Sequence, residues 1–246
     1  MTKEIYLTID IGNSLTKLLV FDKDKILLRK ISKSLNLRMV TQLHRKYKVT
    51  GSIICSVSRT PASVKNYLKR NTKFIELKGT TRVPALVSYK TPETLGPDRL
   101  AGIIAASKLF PGKNVLVIDM GTCIKYDFLT ARNVYFGGSI SPGLQMRFKA
   151  LHRFTGRLPL VVAEPQKGFL GRNTKESILT GVQTGIMAEL EGFVARYKKE
   201  YGTVKVIMTG GDASRFAEQL KFRIFAAPDL VSIGLNEILN FNARYH

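Results

Sequence analysis

Apolar and polar positions alternate at the start of the chain as they do in paired strands. Ile5, Leu7 and Ile9 alternate with Tyr6, Thr8 and Asp10, a small polar stretch follows at Gly12, Asn13 and Ser14, and apolar residues resume from Leu18 to Phe21. This predicts a strand, a tight turn and a second strand. The segment DKDKILLRK extends the meander. LRMVTQLHRKY then places Met39, Leu43 and Tyr47 four apart, as on one face of a helix. KVTGSIICSVS reads as a buried strand, PASVKNYLKRN as a helix opened by Pro61, and FIELKG as a brief strand. Strands alternating with helices predict an α/β fold.

The second half continues in this way. Gly96 and Pro97 end a loop, Asp98 falls in the first turn of a helix, and Leu100, Ile103 and Ile104 face inward. KNVLVIDMGTCIKYDFL predicts a strand, an acidic glycine turn and another strand. Gly137, Gly138 and Gly143 with Pro142 predict a rigid turn, followed by a basic helix with Arg147, Lys149, His152, Arg153 and Arg157. A long helix has Asn173 or Thr174 as its cap and Ile178, Val182, Ile186, Leu190 and Val194 spaced by four. Gly181 and Gly185 cost that helix stability and point to close packing, as against another subunit. VKVIMTGGDASRF gives a strand, a turn at Gly210 and Gly211, and a helix beginning near Asp212; PDLVSIGLNEILNFN closes as a helix.

Composition narrows the class. The 246 residues are 44% hydrophobic and 23% charged, which fits a globular enzyme and excludes disordered or fibrous chains. No apolar run reaches spanning length and MTKEIYLTID enters a strand directly, so a cytoplasmic location and no membrane partner are expected. Two cysteines and three scattered histidines build neither a disulfide framework nor a zinc cluster. The balance of 39 Lys and Arg against 18 Asp and Glu, a net +21, attracts anions of any kind. Aromatic residues do not alternate with the basic ones, so a specific nucleic-acid partner is not expected.

The candidate chemistry lies in the turns. Gly12 admits a ligand close to the backbone, Ser14 and Thr16 offer hydroxyls, and Asp10 suits a hydrated divalent cation beside phosphates. Read alone, the same residues serve an ordinary hairpin. The pattern recurs: Asp119 falls on Asp10, Gly121 on Gly12 and Lys125 on Thr16, an offset of 119 − 10 = 109 residues. Two related lobes, 1–111 and 112–246, are therefore expected, each presenting an acidic glycine turn for a nucleotide. Asp98 has two readings, a carboxylate complementing the helix macrodipole or a functional group. The Gly210 and Gly211 pair leaves room for a base or ribose, or is a plain strand-to-helix turn.

Five stretches carry a family resemblance: DIGNS from Asp10, GPDRLAG from Gly96, DMGTCIKYD from Asp119, GGSISPGL from Gly137 and GRNTKESILTG from Gly171. With these motifs the chain resembles the type III pantothenate kinases of the acetate and sugar kinase and actin superfamily. The resemblance implies two ribonuclease-H-like, actin-like ATPase lobes with mixed β-sheets flanked by helices and an ATP cleft between them. It implies ATP-dependent phosphorylation of pantothenate to 4'-phosphopantothenate, the first step toward coenzyme A. Asp98 would be the catalytic base; Asp10, Ile11, Gly12, Asn13, Ser14, Leu15, Thr16, Lys17 and Thr122 would bind ATP; Tyr89, Gly96, Pro97, Asp98, Arg99 and Thr174 would contact pantothenate. Asp119 would hold a monovalent cation, K+ or NH4+, Mg2+ would accompany ATP, and the assembly would be a homodimer. Lys125 departs from the family pattern, which has a small hydroxyl residue there. Alternative readings are a basic nucleic-acid-binding regulator on the same scaffold and a related kinase with another acceptor.

Overall fold

The computed structural model describes residues 4–165 and 168–243. Two compact units form: one gathers the chain up to Gly112, Leu129–Phe136 and Asp229 onward, the other Lys113–Phe128 and Gly137–Pro228.

The first unit begins with β1 (Ile5–Ile11), β2 (Thr16–Asp22), β3 (Lys25–Ser32), α1 (Leu37–Tyr47), β4 (Gly51–Ser56), α2 (Ala62–Asn71) and β5 (Lys73–Glu76). The sheet order is β3-β2-β1-β4-β5. The meander pairs antiparallel, whereas β4 and β5 each arrive through a helix and pair parallel, as a crossover requires. Thr8 and Tyr6 are buried along with Leu7 and Ile9, because β1 is the central strand and both its faces are covered. On the helices, Val40, Leu43, Val64 and Leu68 close the core. Asn36 caps α1, its Oδ1 accepting from Met39 N–H at 2.9 Å.

After a two-residue strand, β6 (Leu86–Val87), comes α3 (Pro97–Leu109). The expected inward residues Leu100, Ile103 and Ile104 are buried, and so is every residue from Arg99 to Ala106. A helix covered all round needs a second helix on it. The last helix, Leu230–Ala243, supplies that cover: a Cβ on Gly234 would stand 1.8 Å from the Ala101 carbonyl oxygen.

The second unit contains β7 (Asn114–Met120), β8 (Cys123–Leu129), β9 (Val134–Pro142), α4 (Leu144–Arg153), α5 (Thr174–Tyr201), β10 (Val204–Thr209), α6 (Ala213–Ala217) and β11 (Phe225–Ala226); the last helix is then α7. The sheet order is β11-β10-β7-β8-β9-β6. β9 starts in the first unit, where Val134 and Tyr135 pair in parallel with β6, and β10 runs parallel to β7. Ile178, Val182, Ile186, Leu190 and Val194 of α5 are buried with Leu116, Ile118, Val206 and Met208 of the sheet. Gly181 and Gly185 lie on the open face of α5, with nothing within 4 Å of the place a Cβ would take.

One expectation is corrected. Gly137 and Gly138 belong to strand β9 and form no rigid turn with Gly143. A Cβ on Gly138 would stand 1.8 Å from the Tyr126 carbonyl oxygen, so this glycine permits close approach of a neighbouring strand. The basic helix ends at Arg153, leaving Arg157 beyond it.

Candidate active site

Two groups of the expected residues assemble within the first unit. In the first hairpin, Gly12 N–H donates to the Leu15 carbonyl at 3.0 Å, closing a turn in which Asn13, Ser14 and Leu15 are exposed. Asp10 stands on the last rungs of β1 directly across from Lys17, one position from the buried Thr16. The exposed stretch is thus short, two of its three residues are polar, and it is flanked by one acid and one base.

The second group gathers at the start of α3. Gly96 and Pro97 deliver the chain into the helix without a side-chain cap, and the Asp98 carboxylate folds back to accept from Arg99 N–H at 2.9 Å. A Cβ on Gly96 would stand 2.8 Å from Asp98 Oδ1, so glycine leaves this carboxylate its place. Arg99 is buried, with Nη1 3.5 Å from the Tyr89 hydroxyl and its guanidinium 5.7 Å from the Tyr89 ring centre. Tyr89 stacks on Tyr135 with rings 3° from parallel. Tyr89, Gly96, Pro97, Asp98 and Arg99, all within eleven positions of the chain, form one cluster.

In the second unit the acidic turn has its own geometry. Gly121 N–H donates to the Cys123 carbonyl at 3.0 Å, the bond expected of a register in which Asp119 faces Lys125. These side chains do meet, Lys125 Nζ to Asp119 Oδ2 at 2.6 Å. The structural counterpart of Lys125 is therefore Lys17 and not Thr16: five residues separate Asp119 from Lys125, six separate Asp10 from Lys17, and the second turn is shorter by one.

Backbone grips this turn from two sides. A Cβ on Gly143 would stand 2.3 Å from the Gly121 carbonyl oxygen, and one on Gly210 would stand 2.3 Å from that of Met120. Gly143 N–H donates to the Thr122 carbonyl at 3.1 Å and Asp212 N–H to that of Met120 at 3.0 Å. Thr122 itself is exposed. Burial raises the Asp212 carboxyl above its ordinary value, against the pull of Arg215. Thr174 is exposed as the first residue of α5, beside the Asn173 cap, whose Oδ1 accepts from Glu176 N–H at 2.9 Å. Gly171 is equally constrained, since its Cβ would stand 2.3 Å from Ser177 N.

One half-buried network was missed by sequence reasoning. Glu189 of α5 accepts from the Tyr126 hydroxyl at 2.7 Å and the Ser141 hydroxyl at 2.5 Å, and pairs with Arg147. Arg147 also donates through Nε to the Pro142 carbonyl at 2.9 Å, so it ties α4 and β9 to α5 instead of forming part of a solvated face. No sequence signal separates Glu189 from the other acids of this helix.

Burial would raise the Glu189 carboxyl, but the hydrogen bonds from Ser141, Arg147 and Tyr126 outweigh it and hold the group below the usual range. A depressed folded-state value contributes stability above the unfolded value, lost as pH falls through the folded one. Urea midpoints measured over an acid series should therefore fall more steeply for the native protein than for Glu189→Gln. Parallel curves would remove this linkage.

Known proteins resemble this chain in sequence and in fold. The family model for type III pantothenate kinase matches residues 6–196. A type III pantothenate kinase of Phocaeicola vulgatus is 44% identical over 239 residues, covering 97% of this chain and 99% of that protein. Among solved structures, a Campylobacter jejuni chain assigned to the Baf family of transcriptional activators has TM-score 0.57 at 24% identity, covering 97% of this chain and 99% of its own. A glucokinase from an Antarctic psychrotroph has TM-score 0.52 at 12% identity, covering 97% and 99%. Likeness at that distance shows the fold alone; the sequence match extends over nearly the whole chain, and the chain belongs to the type III pantothenate kinase family.

Proposed function

We propose that this chain transfers the γ-phosphoryl group of ATP to the terminal hydroxyl of pantothenate, the first step toward coenzyme A. The observation that carries this reading is the cluster at the start of α3, where the Asp98 carboxylate accepts from the Arg99 backbone N–H and the Arg99 side chain is buried against Tyr89, on a helix whose residues from Arg99 to Ala106 are all buried. Phosphoryl transfer passes through a loose transition state, so orientation and charge neutralisation contribute more than early deprotonation. Asp98 orients the acceptor hydroxyl and takes its proton late, as the new oxygen–phosphorus bond forms and ADP departs with the electrons of the old one. Arg99, steadied by Tyr89, pairs with the pantothenate carboxylate.

The backbone between Gly12 and Leu15, with Asn13, Ser14 and Lys17, binds the ATP phosphates. Asp10 suits the hydrated Mg2+ that accompanies the nucleotide. Ile11 and Thr16 hold that turn, and Thr174 contacts pantothenate. The +21 charge draws both anionic substrates. We place the enzyme in the cytoplasm as a homodimer, with the open glycine face of α5 as a candidate contact. The monovalent cation that the resemblance implies at Asp119 does not fit the residues present, because Lys125 Nζ already stands 2.6 Å from that carboxylate, and no step runs through such an ion.

The deciding measurement is ADP release from the purified chain with ATP and magnesium, with and without pantothenate. Release that depends on pantothenate is expected. Release dependent on another acceptor, or sequence-selective DNA retention at physiological salt without turnover, would replace this reading.

A further inference from the structure

We propose that the Lys125 ammonium takes the place of a monovalent cation at the Asp119 turn, making this kinase independent of potassium and ammonium. The inference rests on the kinase reading above and concerns how the second hairpin meets nucleotide. Lys125 Nζ lies 2.6 Å from Asp119 Oδ2, and the two side chains are only 17% and 22% exposed. The pair is thus sheltered from solvent and salt, where a charge contact is stronger than at an open surface.

The register explains why the contact is built in. Shortening the turn by one residue relative to the first hairpin brings Lys125 across from Asp119. Gly143 and Gly210 allow neighbouring backbone to lie close against the turn at Met120, Gly121 and Thr122, which fixes the backbone on which Asp119 and Lys125 meet. A free monovalent cation entering here would meet the ammonium as a like charge across a single carboxylate, and the two repel. The ammonium brings the same single charge and nitrogen donors. It is tethered to the strand, so it is present at an effective concentration that a dissolved ion reaches only when abundant.

The test uses the whole purified chain in potassium, ammonium or tetramethylammonium chloride at matched ionic strength, reading both pantothenate-dependent ADP release and ATP affinity by calorimetry. Wild-type kcat/KM and affinity should agree within about twofold across the three salts, since the tethered charge is always in place. Lys125→Ala should lose about 10²-fold in kcat/KM in tetramethylammonium, the usual cost of removing one preorganised charge from a reacting phosphoryl site, and should regain most of it in potassium or ammonium. Lys125→Met, which keeps the length of the side chain without its charge, should behave in the same way if the alanine variant does not fold.

Wild-type turnover or ATP affinity that rises about tenfold or more with potassium overturns the proposal, as does a folded charge-removed variant whose activity ignores the salt. Absence of pantothenate-dependent turnover in every salt would count against the acceptor alone. In that case ATP affinity in tetramethylammonium against potassium still decides the role of Lys125.

Discussion

Asp98→Asn lowers kcat by about 10²-fold or more while ATP still binds, the usual size of a general-base effect. The amide keeps the shape of the carboxylate and can still accept from Arg99 N–H, so the helix start is preserved. What it loses is the capacity to take the acceptor proton. Isothermal titration with ATP and single-turnover rates measured on the same preparation separate these effects. Equal turnover in the variant would remove Asp98 from catalysis. Gly96→Ala approaches the same group by another route, since its Cβ would stand 2.8 Å from Oδ1 and displace a flexible carboxylate at little cost in stability.

Gly234→Ala destabilises the protein by about 3 kcal/mol or more, at the upper end for overpacking, because its methyl would meet a backbone carbonyl and not a side chain that can turn aside. The Ala101 oxygen lies 1.8 Å from the new carbon, so α3 and α7 must separate along their whole contact. Gly181→Ala has the opposite sign: its Cβ enters open space in a helix interior, and stability should rise by about 0.5–1 kcal/mol from the helix propensity gained. Urea unfolding of both variants reads the difference directly. A neutral Gly234→Ala would refute the packing argument, and a destabilising Gly181→Ala would mean that another molecule covers that face of α5.

The local elements were legible because each follows a short-range rule. Asp10 and Gly12 between alternating strands, Asn173 before an apolar period, and Pro97 before Asp98 all announced structure within a few residues. What escaped was set by register and by distant backbone. Lys125 aligned with Thr16 when residues were counted without a gap, yet the hydrogen bond at Gly121 makes Lys17 its counterpart. Gly138 and Gly143 looked like a turn because glycine commonly marks one; they are glycines because Tyr126 of β8 and the turn at Gly121 and Thr122, more than ten residues earlier, approach their backbone. Tyr89 was reached only through the family resemblance, because its place beside Arg99 depends on the pairing of β6 with β9.

The partnership of α3 with α7 has a consequence for the order of synthesis. α7 follows every other element of both units, yet Gly234 completes the packing around the helix that presents Asp98. As the chain leaves the ribosome N-terminus first, the opening sheet can form early, while α3 keeps an apolar face without its cover until Leu230–Ala243 has been made. A nascent chain stopped before Leu230 therefore carries all the residues assigned to nucleotide and acceptor but lacks the support that fixes the base. Competence is conferred only once α7 has been made, and chains stopped before it expose an apolar helix that quality control can recognise.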